Sequence, residues 1–130
     1  MDKKKILIVD DEVDMVDILS VRFEANNYSV ITASDGESAL EKVQREKPDA
    51  IILDVMMPQM DGLAVLKKIR EKDEKLPIFI FTAFSNEERV KIAEKYNATG
   101  FIIKTNDLQG EIDKITATLK IADKYKNKPK

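Results

Sequence analysis

The chain of 130 residues contains no cysteine, no histidine and no tryptophan. Without cysteine there is no disulfide framework, no thiolate nucleophile and no cysteine-held metal. Without histidine there is no imidazole base, no Ser-His-Asp arrangement and no histidine-ligated zinc. The chemistry left to the chain belongs to carboxylates, hydroxyls and lysines. No apolar run approaches the roughly 20 residues of a membrane span, and no signal-peptide pattern opens the sequence. A cytoplasmic protein without membrane insertion is therefore expected. A strong charge of one sign is missing as well. The 22 Lys and Arg residues stand against 24 Asp and Glu, a net charge of −2, which argues against direct binding of nucleic acid. Glycine and proline number four each, so each one is read as punctuation.

What is present is a globular composition, 43% hydrophobic and 35% charged, in a length suited to one domain with one sizeable core. The stretch Ile51 to Gly62 organises the rest. An apolar run stops at the carboxylate of Asp54, and a loop punctuated by Pro58 and Gly62 follows. Similar runs at Ile6–Val9, Tyr28–Ala33, Pro77–Phe81 and Gly100–Ile103 read as further strands. Between them, apolar residues recur at helical spacing. Met15, Ile18, Leu19 and Phe23 mark the first helix, and Ala39, Leu40 and Val43 the second. Leu63, Leu66 and Ile69 mark a third, to about Glu71, and a short charged helix runs to Tyr96. Leu108, Ile112, Ile115 and Leu119 mark the fifth. Ser34 with Glu37, and Ser85 with Glu88, have the capping-box spacing and predict two helix starts. The domain is expected over residues 1–122. A lysine-rich tail over 123–130 is expected to be frayed and to carry no output domain, so the chain is expected either to act alone or to be a piece cut from a longer protein.

Strands alternating with helices through short connections predict an α/β fold. Its sheet is parallel and doubly wound, with right-handed crossovers and helices on both faces. All strand ends then point one way. Strand one delivers Asp10 and Asp11, strand three Asp54, strand four Thr82 and strand five Lys104. Each has a bland reading: a helix cap for Asp11, a turn Asp for Asp54, a β-branched strand residue for Thr82, a solvated charge for Lys104. Four central strands ending so together favour a site. Two carboxylates ~4 Å apart repel by about 4 kcal/mol at an effective dielectric near 20, so such a cluster needs counter-charge. Lys104 supplies one positive charge, and Mg²⁺, which binds through carboxylates, water and phosphate oxygens, would supply the rest. A carboxylate beside such an ion can attack phosphorus, with Asp54 as the central nucleophile, Asp10 and Asp11 as metal holders, and Thr82 and Lys104 as charge-stabilising groups.

With these residues in their order, the chain resembles a response-regulator receiver domain of two-component signalling. The resemblance rests on Ile-Leu-Ile-Val-Asp-Asp-Glu at 6–12, Asp-Val-Met-Met-Pro-Gln-Met-Asp-Gly at 54–62, Phe-Thr-Ala at 81–83 and Gly-Phe-Ile-Ile-Lys at 100–104. It implies a flavodoxin-like (βα)5 fold with strand order 2-1-3-4-5. It also implies phosphorylation of Asp54 by a sensor histidine kinase or a histidine phosphotransfer protein. By the same resemblance Mg²⁺ is held by Asp10, Asp11, Asp54 and the backbone carbonyl of Met56. Thr82 and Lys104 contact the phosphoryl group, and Thr82 with Phe101 forms a switch acting on the surface of helix 4, strand 5 and helix 5. A monomer or a weak phosphorylation-dependent dimer is expected, turning over no external substrate. The family usually has Pro after the strand-five lysine, and here Thr105 stands there, so a differently shaped loop with a trans peptide is expected. An aspartyl-nucleophile phosphatase would need a second Asp where Met56 stands. A flavin-binding flavodoxin would need a phosphate-binding loop where Asp-Asp-Glu stands, and a degenerate receiver would have lost one of the acidic, Thr or Lys positions.

Overall fold

The computed structural model describes residues 3–57, 61–83, 86–105 and 107–126, with side chains of the last helix described to Ile121. Five strands alternate with five helices: β1 (Lys5–Val9), α1 (Val13–Ala25), β2 (Ser29–Ala33), α2 (Gly36–Glu46), β3 (Ala50–Leu53), α3 (Gly62–Arg70), β4 (Ile78–Thr82), α4 (Glu87–Lys95), β5 (Gly100–Ile103) and α5 (Leu108–Lys126). The strands form one parallel sheet in the order β2-β1-β3-β4-β5, as the alternation and the resemblance implied.

Why the central strands are continuous apolar runs follows from the period of two. Leu7, Val9, Ile51, Leu53, Ile78 and Ile80 turn to one face, where Ala39 of α2, Leu66 and Ile69 of α3 and Ala93 of α4 cover them. The alternate residues Ile6, Ile8, Ile52, Phe79 and Phe81 turn to the other face, against Leu19 and Phe23 of α1 and Ile112 and Ile115 of α5. With both faces covered, neither half of the alternation can be polar. Phe101 packs with the first set and Ile102 with the second, so the last strand keeps the same parity.

Local differences from the sequence reading have physical causes. Ile18 is exposed, and Val16 with Met15 packs inward in its place, because the face of α1 is set by Leu19 and Phe23. The cap of α2 is Asp35, whose carboxylate accepts the Ser38 N–H at 2.7 Å, not Ser34. The cap of α4 is Asn86, accepting from the Arg89 N–H at 2.8 Å; Ser85 and Pro58 lie outside the described residues. The helix α5 continues to Lys126, past the boundary expected at residue 122, and 127–130 lie outside the described residues.

Candidate functional site

The sheet register sets up the site. Val9 pairs with Leu53, so the next residue of each strand, Asp10 and Asp54, emerges side by side. Their backbones still belong to the ladder. The Asp54 N–H donates to the Val9 carbonyl at 2.9 Å, and the Asp10 N–H to the Ala33 carbonyl at 3.1 Å. One strand over, Thr82 pairs with Ile103, and the Lys104 N–H donates to the Thr82 carbonyl at 2.7 Å. Each polar residue thus leaves the sheet from a fixed backbone position.

The side chains then close on one another. Lys104 Nζ lies 2.7 Å from Asp10 Oδ2, 3.2 Å from Asp54 Oδ2 and 3.6 Å from Glu12 Oε1. The other oxygen of each buried carboxylate is held by the backbone two residues on. Asp10 Oδ1 accepts the Glu12 N–H at 2.9 Å, and Asp54 Oδ1 accepts the Met56 N–H at 3.0 Å. The same turn is thus built twice, on adjacent strands. The ammonium also lies over the Phe81 ring, 5.9 Å from its centre. Only 8% of the Lys104 side chain, 2% of Asp10 and 4% of Asp54 are open to solvent, whereas Glu12 is 61% exposed at the mouth.

Burial and charge pull against each other here. Burial pushes the Asp10 carboxyl above its ordinary range, against the downward pull of the Lys104 ammonium and the Glu12 N–H; the nearby Asp54 charge adds to the rise. Burial alone would lower the Lys104 ammonium, but its hydrogen bond to Asp10 and the charges of Asp10 and Asp54 raise it above the ordinary lysine value. The lysine stays charged and still leaves the cluster negative. Oxygens of Asp10, Glu12 and Asp54 all lie within 4.8 Å of one another. Three carboxylates against one ammonium, with oxygen as the donor, fit a hard divalent cation such as Mg²⁺.

The other expected residues fall as follows. Asp11 is exposed and its carboxylate is not part of that group; Glu12, which the sequence reading did not single out, is. Met56 is 42% exposed, with its N–H bound to Asp54. Thr82 is fully buried at the end of β4. Phe101 pairs with Ile80, two residues before Thr82, and packs on the α3–α4 side of the sheet. After Lys104, the Thr105 hydroxyl accepts the Asp107 N–H at 3.1 Å, and Asp107 Oδ1 accepts the Gly110 N–H at 3.1 Å. No peptide bond among the described residues is cis.

Comparison with known proteins decides the family. The pattern of the response regulator receiver domain matches residues 6–116. The chain belongs to the response regulator receiver family. Over 84 residues it is 51% identical to the alkaline phosphatase synthesis transcriptional regulatory protein PhoP of Bacillus subtilis, covering 65% of this chain and 35% of that one. It is 36% identical over 124 residues to the probable transcriptional regulator ycf27 of Porphyridium aerugineum, covering 95% and 51%. The chain therefore spans about a third to a half of these curated relatives. Among solved structures, the chemotaxis protein CheY4 of Vibrio cholerae superposes with a TM-score of 0.82 at 30% identity, covering 89% of this chain and 98% of that one. The Thermotoga maritima response regulator TrrA, solved in complex with Mg(2+)-BeF, gives 0.80 at 30% identity, covering 88% and 98%. This receiver domain carries an acidic cluster at the C-terminal ends of its central strands. No helix among its described residues is long and apolar enough to cross a membrane.

Proposed function

We propose that this receiver domain accepts a phosphoryl group on Asp54 from a histidine phosphodonor and uses it to reshape the surface of α4, β5 and α5. The observation that carries the reading is the state of Asp54. Its carboxylate is buried, oriented through Oδ1 by the Met56 N–H and through Oδ2 by Lys104, and faces an acidic neighbour that only a cation would balance. An oriented carboxylate of this kind is a nucleophile for phosphorus. An Asp54 oxygen forms the new P–O bond while the P–N bond to the donor imidazole breaks. The electron pair goes to the imidazole nitrogen, which takes a proton from water.

Lys104 is placed to follow the charge. It bridges Asp10 and Asp54 before transfer and pairs with a phosphoryl oxygen afterwards. Thr82 donates its hydroxyl to another phosphoryl oxygen, and Phe101, paired beside Ile80 on the same face, fills the space that Thr82 leaves. Asp10, Asp54 and the Met56 backbone carbonyl would hold Mg²⁺, together with Asp11 as the family resemblance assigns it. When bound, the ion offsets the charge of the transferring phosphoryl oxygens. The partners are a sensor kinase or phosphotransfer protein on the input side and a protein docking on the α4–β5–α5 surface on the output side. The setting is cytoplasmic.

Intact mass after incubation with Mg²⁺ and acetyl phosphate tests the proposal. One phosphoryl adduct is expected on the wild type, lost with EDTA and missing in Asp54→Asn. An adduct that persists in Asp54→Asn, or a folded wild type that takes none, overturns it.

A further inference from the structure

Glu12 breaks a local rule at the edge of the site. It is the N-cap of α1, with φ −85° and ψ 107°, and its side chain makes no capping hydrogen bond. The helices α2, α3 and α4 open on Asp35, Asp61 and Asn86, each of which caps a backbone N–H of the first turn. Glutamate is not among the side chains favoured at this position, which are Ser, Thr, Asp and Asn. Local rules are typically broken where function sets the residue.

What Glu12 does instead is turn its carboxylate into the cluster with Asp10 and Asp54. It gains little there in the metal-free chain. Lys104 is already held at 2.7 Å by Asp10 and at 3.2 Å by Asp54, and Glu12 reaches it only at 3.6 Å from a largely solvated position. An exposed ion pair of that kind contributes little, and the two buried carboxylates repel it. A divalent cation between the three carboxylates reverses that sign. We infer that Glu12 is a third carboxylate contact for the divalent cation of the Asp54 site, raising its affinity at the expense of the α1 cap. The inference rests on the reading of Asp54 given above.

The test is calorimetric titration with Mg²⁺ alone, paired with thermal melts with and without Mg²⁺, on the wild type, Glu12→Gln and Glu12→Ser. Both variants are expected to bind Mg²⁺ about five- to tenfold more weakly, the scale of one partly screened carboxylate. The serine variant regains a cap and loses repulsion, so without metal it is expected to melt about 3 °C above the wild type, while its Mg²⁺-induced shift shrinks. A merely structural residue would move both quantities the same way. Variants that bind Mg²⁺ within twofold of the wild type overturn the role of Glu12, as does a serine variant that melts lower without metal. A wild type with no Mg²⁺ binding overturns the reading of the site itself, whereas Mg²⁺-dependent phosphorylation with unchanged variants overturns Glu12 alone.

Discussion

The two ends of this sheet keep their strain in different forms. At the end where strands begin, polar groups are matched. The Lys5 N–H meets Asp49 Oδ2 at 2.7 Å, the Ile78 N–H meets the Thr99 hydroxyl at 2.9 Å, and the Arg70 guanidinium holds the Asn97 carbonyl at 3.0 Å. The strain there is in the backbone. Asn27, Lys47 and Asn97, each just past a helix that leads into a strand, have φ of 71°, 48° and 57°. That left-handed region favours glycine, and only Asn enters it with some ease. At the end where strands finish, no described residue has positive φ, and the imbalance is in charge: three clustered carboxylates against Lys104. Backbone strain of this kind shapes turns and is indifferent to ligands. Charge imbalance is relieved by a cation, so stability at that end is tied to what binds there.

Three substitutions sharpen or break this contrast. The largest effect is expected from Gly62→Ala. A Cβ at Gly62 would lie 2.2 Å from the Asp54 carbonyl oxygen and 2.7 Å from the Val55 Cα, and backbone cannot swing aside as a side chain can. A loss of about 3 kcal/mol in urea unfolding is expected, at the upper end of overpacking costs, with Mg²⁺ affinity falling as Asp54 is displaced. A loss below about 1 kcal/mol would mean that the loop before α3 adapts freely.

The next is smaller and of opposite sign. Because folding raises the Asp10 pKa, its contribution to stability is complete below the ordinary value of 3.8 and is lost as pH rises through the raised value. At neutral pH the ionised carboxylate is a net load on the metal-free chain. Asp10→Asn is therefore expected to melt higher than the wild type at pH 7 without Mg²⁺, the gap closing as pH falls below 3.8. Saturating Mg²⁺ should reverse the order. Lys104 obeys the same rule at the other extreme. Its contribution is complete below 10.5 and is lost as pH rises through its raised value. The smallest effect belongs to the other end. Lys47→Gly relieves the φ of 48° and is expected to stabilise by about 0.5 kcal/mol, net of glycine's entropy, at every Mg²⁺ concentration.

Much of this was legible before the structure, and the exceptions share a cause. Asp10, Asp54, Thr82 and Lys104 could be placed together because parallel strands of known direction need only a strand end and an order. That Glu12 joins Asp10 and Asp54 depends on backbone angles in a three-residue turn that period and spacing do not encode. The caps of α2 and α4 each fell one residue after the expected Ser. Asp35 and Asn86 are equally good caps standing beside a serine with the right spacing to Glu, and spacing alone does not choose between neighbours. Ile18 was read as core because three apolar residues share that turn of α1, and only packing against β1 and α5 decides which of them faces out.

The repeated turn at Asp10 and Asp54 also fixes how a mark could be written on the sheet. A carboxylate tethered through both oxygens has little rotameric freedom left, so the entropy of presenting it to a donor is already spent when the chain folds. On the proposed reading, β1 and β3 are the surface written upon, and they hold still during writing. The residues placed to report the mark, Thr82 and Phe101, stand on β4 and β5, outside that tether. On that reading the mark is made at the ends of β1 and β3 and reported from β4 and β5, with Lys104, which follows β5, joining the two.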